Sequence, residues 1–461
     1  MNRCTLICGL IVSAWMVLGS PQTSPAQDDL VDLVLGFLGD EDKEVRSLAF
    51  EQIRTEAKGE AATKIFAAQL SKLAPEAQVG LLSALADRGD KAAGPDVLML
   101  LEKTTDQPVK LAAIRAAGRL GQPADHAVFI QLLTDGQDDE KTAASKALVL
   151  MSGESVSADI AAKLKSSPQE VAVALLKVLT TRRAQETIPT MHEMANVDDG
   201  VVRAAAMTAL SQLAGPDNIG KMVAGVIKAE KGKERAAAEK AIAVVSQKIE
   251  DVDKRAASVL SAMEGMTKDD KRIVMSLLGR IGGAPALKVV MASIDSSDST
   301  EHSIGLQSLC NWPDTSVESI LLAKARTEQR GEHRKMALRA LIRIATLSDD
   351  RSDEHRLDVL RTCFAMADSD SERTLVLHRA QSVRTVESMR FVVPFMKDST
   401  FAERACLTIV ELAHHRSLRE PHRPEFEQVL DQVIATSKDA VVVDRSQRYK
   451  RDETWVRPGA E

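Results

Sequence analysis

Asp199-Gly-Val-Val-Arg203-Ala-Ala-Ala206 follows a pattern that the chain uses again and again: an acidic residue, two spacers, an apolar residue, a basic one, and alanine three positions later. Asp42-Lys-Glu-Val-Arg46-Ser-Leu-Ala49 and Asp106-Gln-Pro-Val-Lys110-Leu-Ala-Ala113 are further copies. Each copy opens a helical pattern whose apolar residues, three and four apart, make one stripe that a lone helix has no means of burying. Starts of this kind fall near 42, 75, 106, 138, 168, 198, 231, 269, 298, 331, 370 and 398, at spacings of 28 to 39 residues.

Each interval has room for two helices and two short turns, and none for a layer of strands. Residues 123–134 carry Val128, Ile130, Leu132 and Leu133, Asp135-Gly136-Gln137-Asp138 turns, and 140–151 carry Ala144, Ala147, Leu148 and Met151. Pro75, Pro108, Pro123, Pro168 and Pro216 stand in first turns of helices, while Gly121, Gly153, Gly215 and Gly282-Gly283 follow helix ends. Proline loses nothing at a first turn and glycine accepts the left-handed backbone that ends a helix. The acidic openings suit N-caps and the positive end of the helix dipole. The expectation is an all-α, right-handed α-solenoid of about twelve helical hairpins over 27–437, each completing its core against its neighbours.

Composition agrees. Apolar residues make up 44%, charged residues 27% and aromatics 3%, with Tyr449 the single tyrosine, which favours helices packed through small and aliphatic side chains. The formal net charge is -6, a poor match to a phosphate backbone, so nucleic acid is not an expected partner. Cys310, Cys363 and Cys406 lie in apolar helical text and read as buried free thiols.

The two ends read differently from the array. Residues 1–26 begin with Met1-Asn-Arg3, continue through an apolar run from Cys4 to Gly19 and end in Ser24-Pro25-Ala26, the layout of a cleaved signal peptide. That run is short for a membrane span of about 20 residues, so a secreted or periplasmic chain without a stable span after cleavage is expected. Residues 438–461 hold Arg445, Arg448, Lys450, Arg451 and Arg457 and read as a basic, flexible tail, with an arm or strand docking on a partner as the alternative. Ser348-Asp-Asp-Arg-Ser-Asp-Glu-His355 is read as a charged turn projecting from one edge.

A turn followed by Val-Arg-x-x-Ala resembles HEAT repeats, particularly the short bacterial form also seen in phycobilisome-lyase-like arrays, over about residues 28–437. Lys231-Gly-Lys-Glu-Arg235-Ala-Ala-Ala-Glu-Lys240, Leu278-Gly-Arg-Ile-Gly-Gly283 and Ser308-Leu-Cys-Asn-Trp-Pro313 are similar to secreted bacterial HEAT proteins, some joined to sugar-acting β domains or cytochrome domains. The resemblance implies a solenoid whose second helices line a concave side. Cys-x-x-Cys-His is absent and no sugar-acting domain is recognisable, so those activities are not carried over.

The recurrent basic position is the candidate for a shared role: Arg46, Lys110, Arg203, Arg235, Arg272, Arg334 and Arg404. As a structural ladder these side chains, placed four residues after an acid as with Asp42 and Arg46 or Asp199 and Arg203, would pair along the solenoid and fix the turn between helices, at about 0 to 1 kcal/mol for each exposed pair. As a partner-facing row they would line the binding face. His192-Glu193-Met-Ala-Asn196 lacks the second histidine of a zinc helix. His414, His415 and His422, with Glu411 and Glu420, read as a solvated loop, and His378 as a hydrogen-bonded interior residue. There is no Gly-x-Ser-x-Gly and no phosphate loop, so no catalytic residue, cofactor or metal site is predicted. The functional expectation is a secreted, non-catalytic protein–protein interaction scaffold for an extracytoplasmic protein or polymer. The alternative is a lyase- or chaperone-like accessory holding a ligand in its groove.

Overall fold

The computed structural model describes residues 25–56 and 59–455, and every regular element among them is a helix. Second helices begin at Lys43, Pro75, Gln107, Asp138, Gln169, Gly200, Lys233, Lys268, Ser299, Gly331, Asp370 and Ala402, each within four residues of the position read from the sequence. N-caps explain the agreement. Asp106 Oδ1 accepts from Val109 N at 3.0 Å, and Asp199 Oδ1 accepts from Val201 N and Val202 N at 2.9 and 3.0 Å. Each such bond occupies an N–H that the helix itself leaves without an acceptor. The segment 1–24, which carries most of the export expectation, lies outside the described residues.

The chain divides into two compact units, one of Met1–Ala214 with Lys228–Ala237 and the other of Gly215–Ile227 with Ala238–Glu461. Each unit is a stack of helical hairpins. In the first, helix Gln107–Leu120 packs on helices Pro75–Arg88 and Asp138–Leu150 and buries Val109, Ala113, Ile114, Ala117 and Leu120. The alanine of the repeat is part of this contact, since Ala49, Ala113 and Ala206 are all fully buried. A methyl on Gly118 would lie 2.6 Å from Ala147 Cα, so the two second helices touch almost backbone to backbone.

The second unit repeats the arrangement. A methyl on Gly279, in helix Lys268–Ile281, would lie 2.0 Å from the carbonyl oxygen of Ser308 in helix Ser299–Cys310. Trp312 is fully buried beside this junction and donates its Nε1–H to Ser316 Oγ at 3.1 Å. Cys310, Cys363 and Cys406 are buried free thiols, as expected, and burial pushes them up to about 12, 12 and 11.

The C-terminal segment corrects the sequence reading. Ala440–Lys450 is a helix, the second of a further hairpin whose first helix is Arg423–Thr436. Asp439 caps it through Val441 N at 2.8 Å, and Val442, Ser446 and Tyr449 form its buried stripe. Arg445 is buried too, donating to Glu411 Oε1 at 2.6 Å. Val443 stands where earlier repeats carry the basic residue, and Val441-Val442-Val443 mimics a strand, so neither cue marked the helix. Residues 456–461, with Arg457, lie outside the described residues. No helix among the described residues is long and apolar enough to cross a membrane.

Two glycine replacements separate close packing from open helix. Gly279→Ala forces a methyl into the Ser308 backbone and is expected to lower unfolding stability by about 1–3 kcal/mol. Gly36→Ala, in helix Pro25–Leu38 with nothing within 4 Å of the added methyl, is expected to raise it by about 0.4–1 kcal/mol. Denaturant unfolding of both variants checks the contrast, and equal effects would remove the steric argument.

Candidate functional site

Six of the seven recurrent basic residues reach across repeats, and Arg235 is held by its own preceding turn. Arg46 Nη1 donates to the carbonyls of Asp40 and Glu41 at 2.9 and 3.0 Å, and its Nη2 donates to Glu76 Oε2 at 2.9 Å. Lys110 Nζ lies 3.0 Å from Glu140 Oε1. Arg203 grips Glu234 with Nε and Nη2 at 2.8 and 3.1 Å, while its Nη1 donates to the carbonyls of Val197 and Asp198 at 3.0 and 2.7 Å. Arg272 reaches Asp298 at 3.0 Å and Arg334 pairs with Asp368. Arg235 donates to the Ala229 carbonyl at 2.7 Å, and Arg404 contacts His378 Nδ1 at 3.0 Å.

At Arg46 and Arg203 the pairs run along the array to Glu76 and Glu234, and not to the acid four residues back. Asp42 and Asp199 turn onto their own helix N–H groups, which places their oxygens over the helix axis. The basic side chain leans toward the N-terminus, as helical side chains do, and meets the preceding turn and the start of the next second helix. Burial decides what each rung contributes. The Arg203 side chain is 5% exposed and that of Glu234 16%, whereas Glu76, opposite Arg46, is 67% exposed. Burial pushes the Glu234 carboxyl up, but the Arg203 hydrogen bond and the Glu230 N–H outweigh it and hold the carboxyl below its usual range.

A second set of arginines was not singled out from the sequence. Arg182 donates from Nη1 to the carbonyls of Leu148, Val149 and Met151, at the end of the preceding second helix, at 2.7, 3.1 and 2.8 Å. Arg88 reaches the Ile53 carbonyl at 2.8 Å, and Arg343 reaches those of Cys310 and Trp312 at 3.2 and 2.6 Å. Each closes carbonyls that a helix C-terminus leaves without donors. Burial lowers all three guanidinium pKa values. A basic residue ending each of these second helices was the available signal.

Residues 348–355 are mostly exposed but tied to the array. Arg351 ties Asp349 Oδ2 at 2.7 Å, Glu318, and the Ile344 carbonyl at 2.9 Å, while Arg356 donates to the Asp349 carbonyl at 2.7 Å and His355 Nε2 lies 2.8 Å from Glu318 Oε1. The run of opposite charges neutralises itself against the chain. Burial pushes the Asp349 carboxyl up, but hydrogen bonds from Thr315, the Arg351 N–H, Arg356 and Arg351 outweigh it and hold it at about 2.

Histidines also leave the expected pattern. His414 is not in a solvated loop but ends helix Ala402–His414, with Nδ1 2.9 Å from the Tyr449 hydroxyl. His378, by contrast, is hydrogen-bonded as expected, to Arg404 and Gln381, and is half-buried. The sequence reading passed over His302, Glu328 and His333, which are the residues able to hold a metal ion: one ligand atom from each lies within 4.8 Å of the others.

Second helices also leave an open groove of about 590 Å³ between Asp138–Leu150 and Gln169–Thr181, lined by Ser145, Lys146, Val149, Leu150, Lys177 and Thr181. Leu150 is 53% exposed there. Lys146 and Lys177, both exposed, flank the apolar floor without an ion pair among the described residues.

Arg203→Met is expected to destabilise the chain by roughly 3 kcal/mol, because it strands a largely buried carboxylate and two carbonyls. Arg46→Met should cost about 1 kcal/mol or less, opposite an exposed partner. Denaturant midpoints at neutral pH test the ranking, and a reversed order would break the burial argument. Asp349 has a folded pKa below its unfolded value of about 3.9, so its stabilisation is complete at neutral pH and is lost as pH falls from about 4 to about 2. The melting difference between the unaltered chain and Asp349→Asn should accordingly shrink over that window.

Comparison with known proteins finds a family match over part of the chain. Residues 63–149 and 157–243 match the HEAT repeat family, a narrower span than the resemblance suggested. No curated protein matches the chain. Among solved structures, the karyopherin Kap121p bound to the SUMO protease Ulp1p is 12% identical, with 93% of this chain and 57% of that chain covered and a TM-score of 0.48. Kap95p, in a study of RanGDP, is 11% identical over 92% of this chain and 66% of that one, with a TM-score of 0.46. The CpcE–CpcF phycocyanin lyase complex of Nostoc sp. PCC7120 is 16% identical over 72% of this chain and 99% of that one, with a TM-score of 0.22. The chain thus spans between half and two thirds of these karyopherin chains, and superpositions this loose say nothing about what it binds. Residues 63–149 and 157–243 thus match HEAT repeats, and stacked helical hairpins lie on both sides of them among the described residues.

Proposed function

We propose that the chain is a secreted, non-catalytic scaffold that binds another extracytoplasmic protein through the faces of its second helices. The observation that carries this reading is the groove between Asp138–Leu150 and Gln169–Thr181, where Val149 and Leu150 lie open between Lys146 and Lys177. An apolar floor between unpaired cations suits an aliphatic side chain flanked by acidic residues, the usual mix of an apolar centre with a polar rim. The stack favours such a role because its basic ladder and arginine seals are spent inside the protein, leaving second-helix positions between them free to vary. Export rests on the apolar run from Cys4 to Gly19 and the small residues at Ser24-Pro25-Ala26.

A photo-crosslinking residue placed at Leu150, and separately at Ile65 on the first helix Glu60–Ala67, tests the proposal in the native envelope. Leu150 should capture one discrete extracytoplasmic protein, with the yield cut at least severalfold by Lys146→Glu with Lys177→Glu, while Ile65 captures nothing specific. Equal capture at both positions, or indifference to charge reversal, would overturn the groove. Removing residues 1–26 should leave the protein in the cytoplasm, and unchanged fractionation would overturn export.

A further inference from the structure

Three side chains in the second unit meet with no hydrogen left to share. His302 stands on helix Ser299–Cys310, Glu328 directly follows helix Glu318–Thr327, and His333 lies in the first turn of helix Gly331–Ala345. His302 Nδ1 is 2.5 Å from the Ile294 carbonyl, which only accepts, so Nδ1 carries a hydrogen and Nε2 of the neutral ring keeps its lone pair. That Nε2 lies 3.3 Å from Glu328 Oε2. Ser303 spends its hydroxyl hydrogen on the Ser299 carbonyl at 2.8 Å, so its oxygen accepts from His333 Nε2–H at 3.2 Å. His333 Nδ1 is then the bare nitrogen, 3.9 Å from the same Glu328 oxygen, and it has no hydrogen-bond partner although the residue is only 9% exposed.

Two imidazole nitrogens and a carboxylate thus face one another in a half-dry setting, with His333 Nδ1 lacking a donor. Such a cluster costs free energy unless something positive lies among them. One proton does not suffice: on His302 it would serve Glu328 and leave His333 Nδ1 unpartnered.

We propose that His302, Glu328 and His333 bind one divalent transition-metal ion of the zinc type, stapling successive hairpins of the second unit. Two imidazole nitrogens and one carboxylate oxygen suit this class, whereas calcium and magnesium want oxygen shells. A tetrahedral zinc site has ligand atoms about 3.4 Å apart, given metal–ligand distances near 2.1 Å. The His302–Glu328 edge already matches at 3.3 Å, the His333–Glu328 edge closes from 3.9 Å by movement of Glu328 just past its helix, and the His302–His333 edge, within 4.8 Å, closes by a small turn of the two rings. Lys324 lies 3.5 Å from the other Glu328 oxygen and steadies the carboxylate. Its charge, with that of nearby Arg330, weakens the site relative to a dedicated structural zinc centre. The Ile294 carbonyl and Ser303 act as the outer layer that orients both rings. Three protein ligands leave a fourth position for water or for a side chain of a bound protein.

The test is calorimetric titration of the untagged, chelator-treated full chain with Zn2+, with Co2+ absorption as a second readout. The proposal expects one saturable equivalent per chain and a higher melting temperature with zinc, with no response to Mg2+. Ser303→Ala should weaken binding about tenfold, and His302→Ala, His333→Ala and Glu328→Gln by more than that. Glu328→Gln keeps the side-chain shape, so its helix content by circular dichroism separates lost binding from lost folding. Failure of the full chain to take up Zn2+ saturably, or binding unchanged in Glu328→Gln and His333→Ala, overturns the site. The groove at Leu150 is untouched by these variants, so crosslinking there stands or falls separately.

Discussion

Near contact between consecutive second helices is the constraint on which the rest of this protein depends. At Gly118 against Ala147, and at Gly279 against Ser308, the backbones come so close that a single methyl has no room. At that separation the buried alanines of the repeat meet the next helix directly, and dispersion over many short contacts replaces the large aromatic cores of compact domains. Fully buried aromatics such as Trp312, Phe66 and Phe129 are few, and they sit at particular hairpins rather than in a common centre.

Close helices carry an electrostatic problem that the chain solves locally. Parallel second helices bring several C-terminal carbonyl sets and several N-terminal N–H sets to the same levels of the stack. Acidic caps serve the N-terminal ends, and Arg88, Arg182 and Arg343 serve the C-terminal ends of the preceding helix. Between them run the cross-repeat pairs, of which the Arg203–Glu234 fork is the most buried. Polar contacts of this sort add modestly to stability but fix the register between hairpins, because each cation reaches one specific turn.

Much of this was legible in the residues themselves. Helix starts were readable because caps, prolines and glycines are local signals, and Asp106, Asp199 and Pro75 each sit where such signals belong. The particular partner of each basic residue was not, since which acid of the next repeat it meets depends on how hairpins stack. Helix Ala440–Lys450 was hidden by Val443 in the basic position, although the spacing of Val442, Ser446 and Tyr449 held the cue. His302, Glu328 and His333 were invisible for a related reason. They belong to two hairpins, and only the packing of Ser299–Cys310 on the next pair of helices brings them together.

The reach of Arg182 into carbonyls of the preceding second helix has an evolutionary corollary. Solenoids change length by duplicating or losing whole modules, and the outcome depends on where the cut falls. Excising the module Val156–Lys163 with Gln169–Thr181 and its flanking Arg182 would expose the ends of Leu148, Val149 and Met151 to whatever slid into place. Only an incoming module with its own arginine at that point would heal the junction. Lengthening and shortening of this array are therefore constrained to some boundaries and barred at others, even though its modules look interchangeable by size.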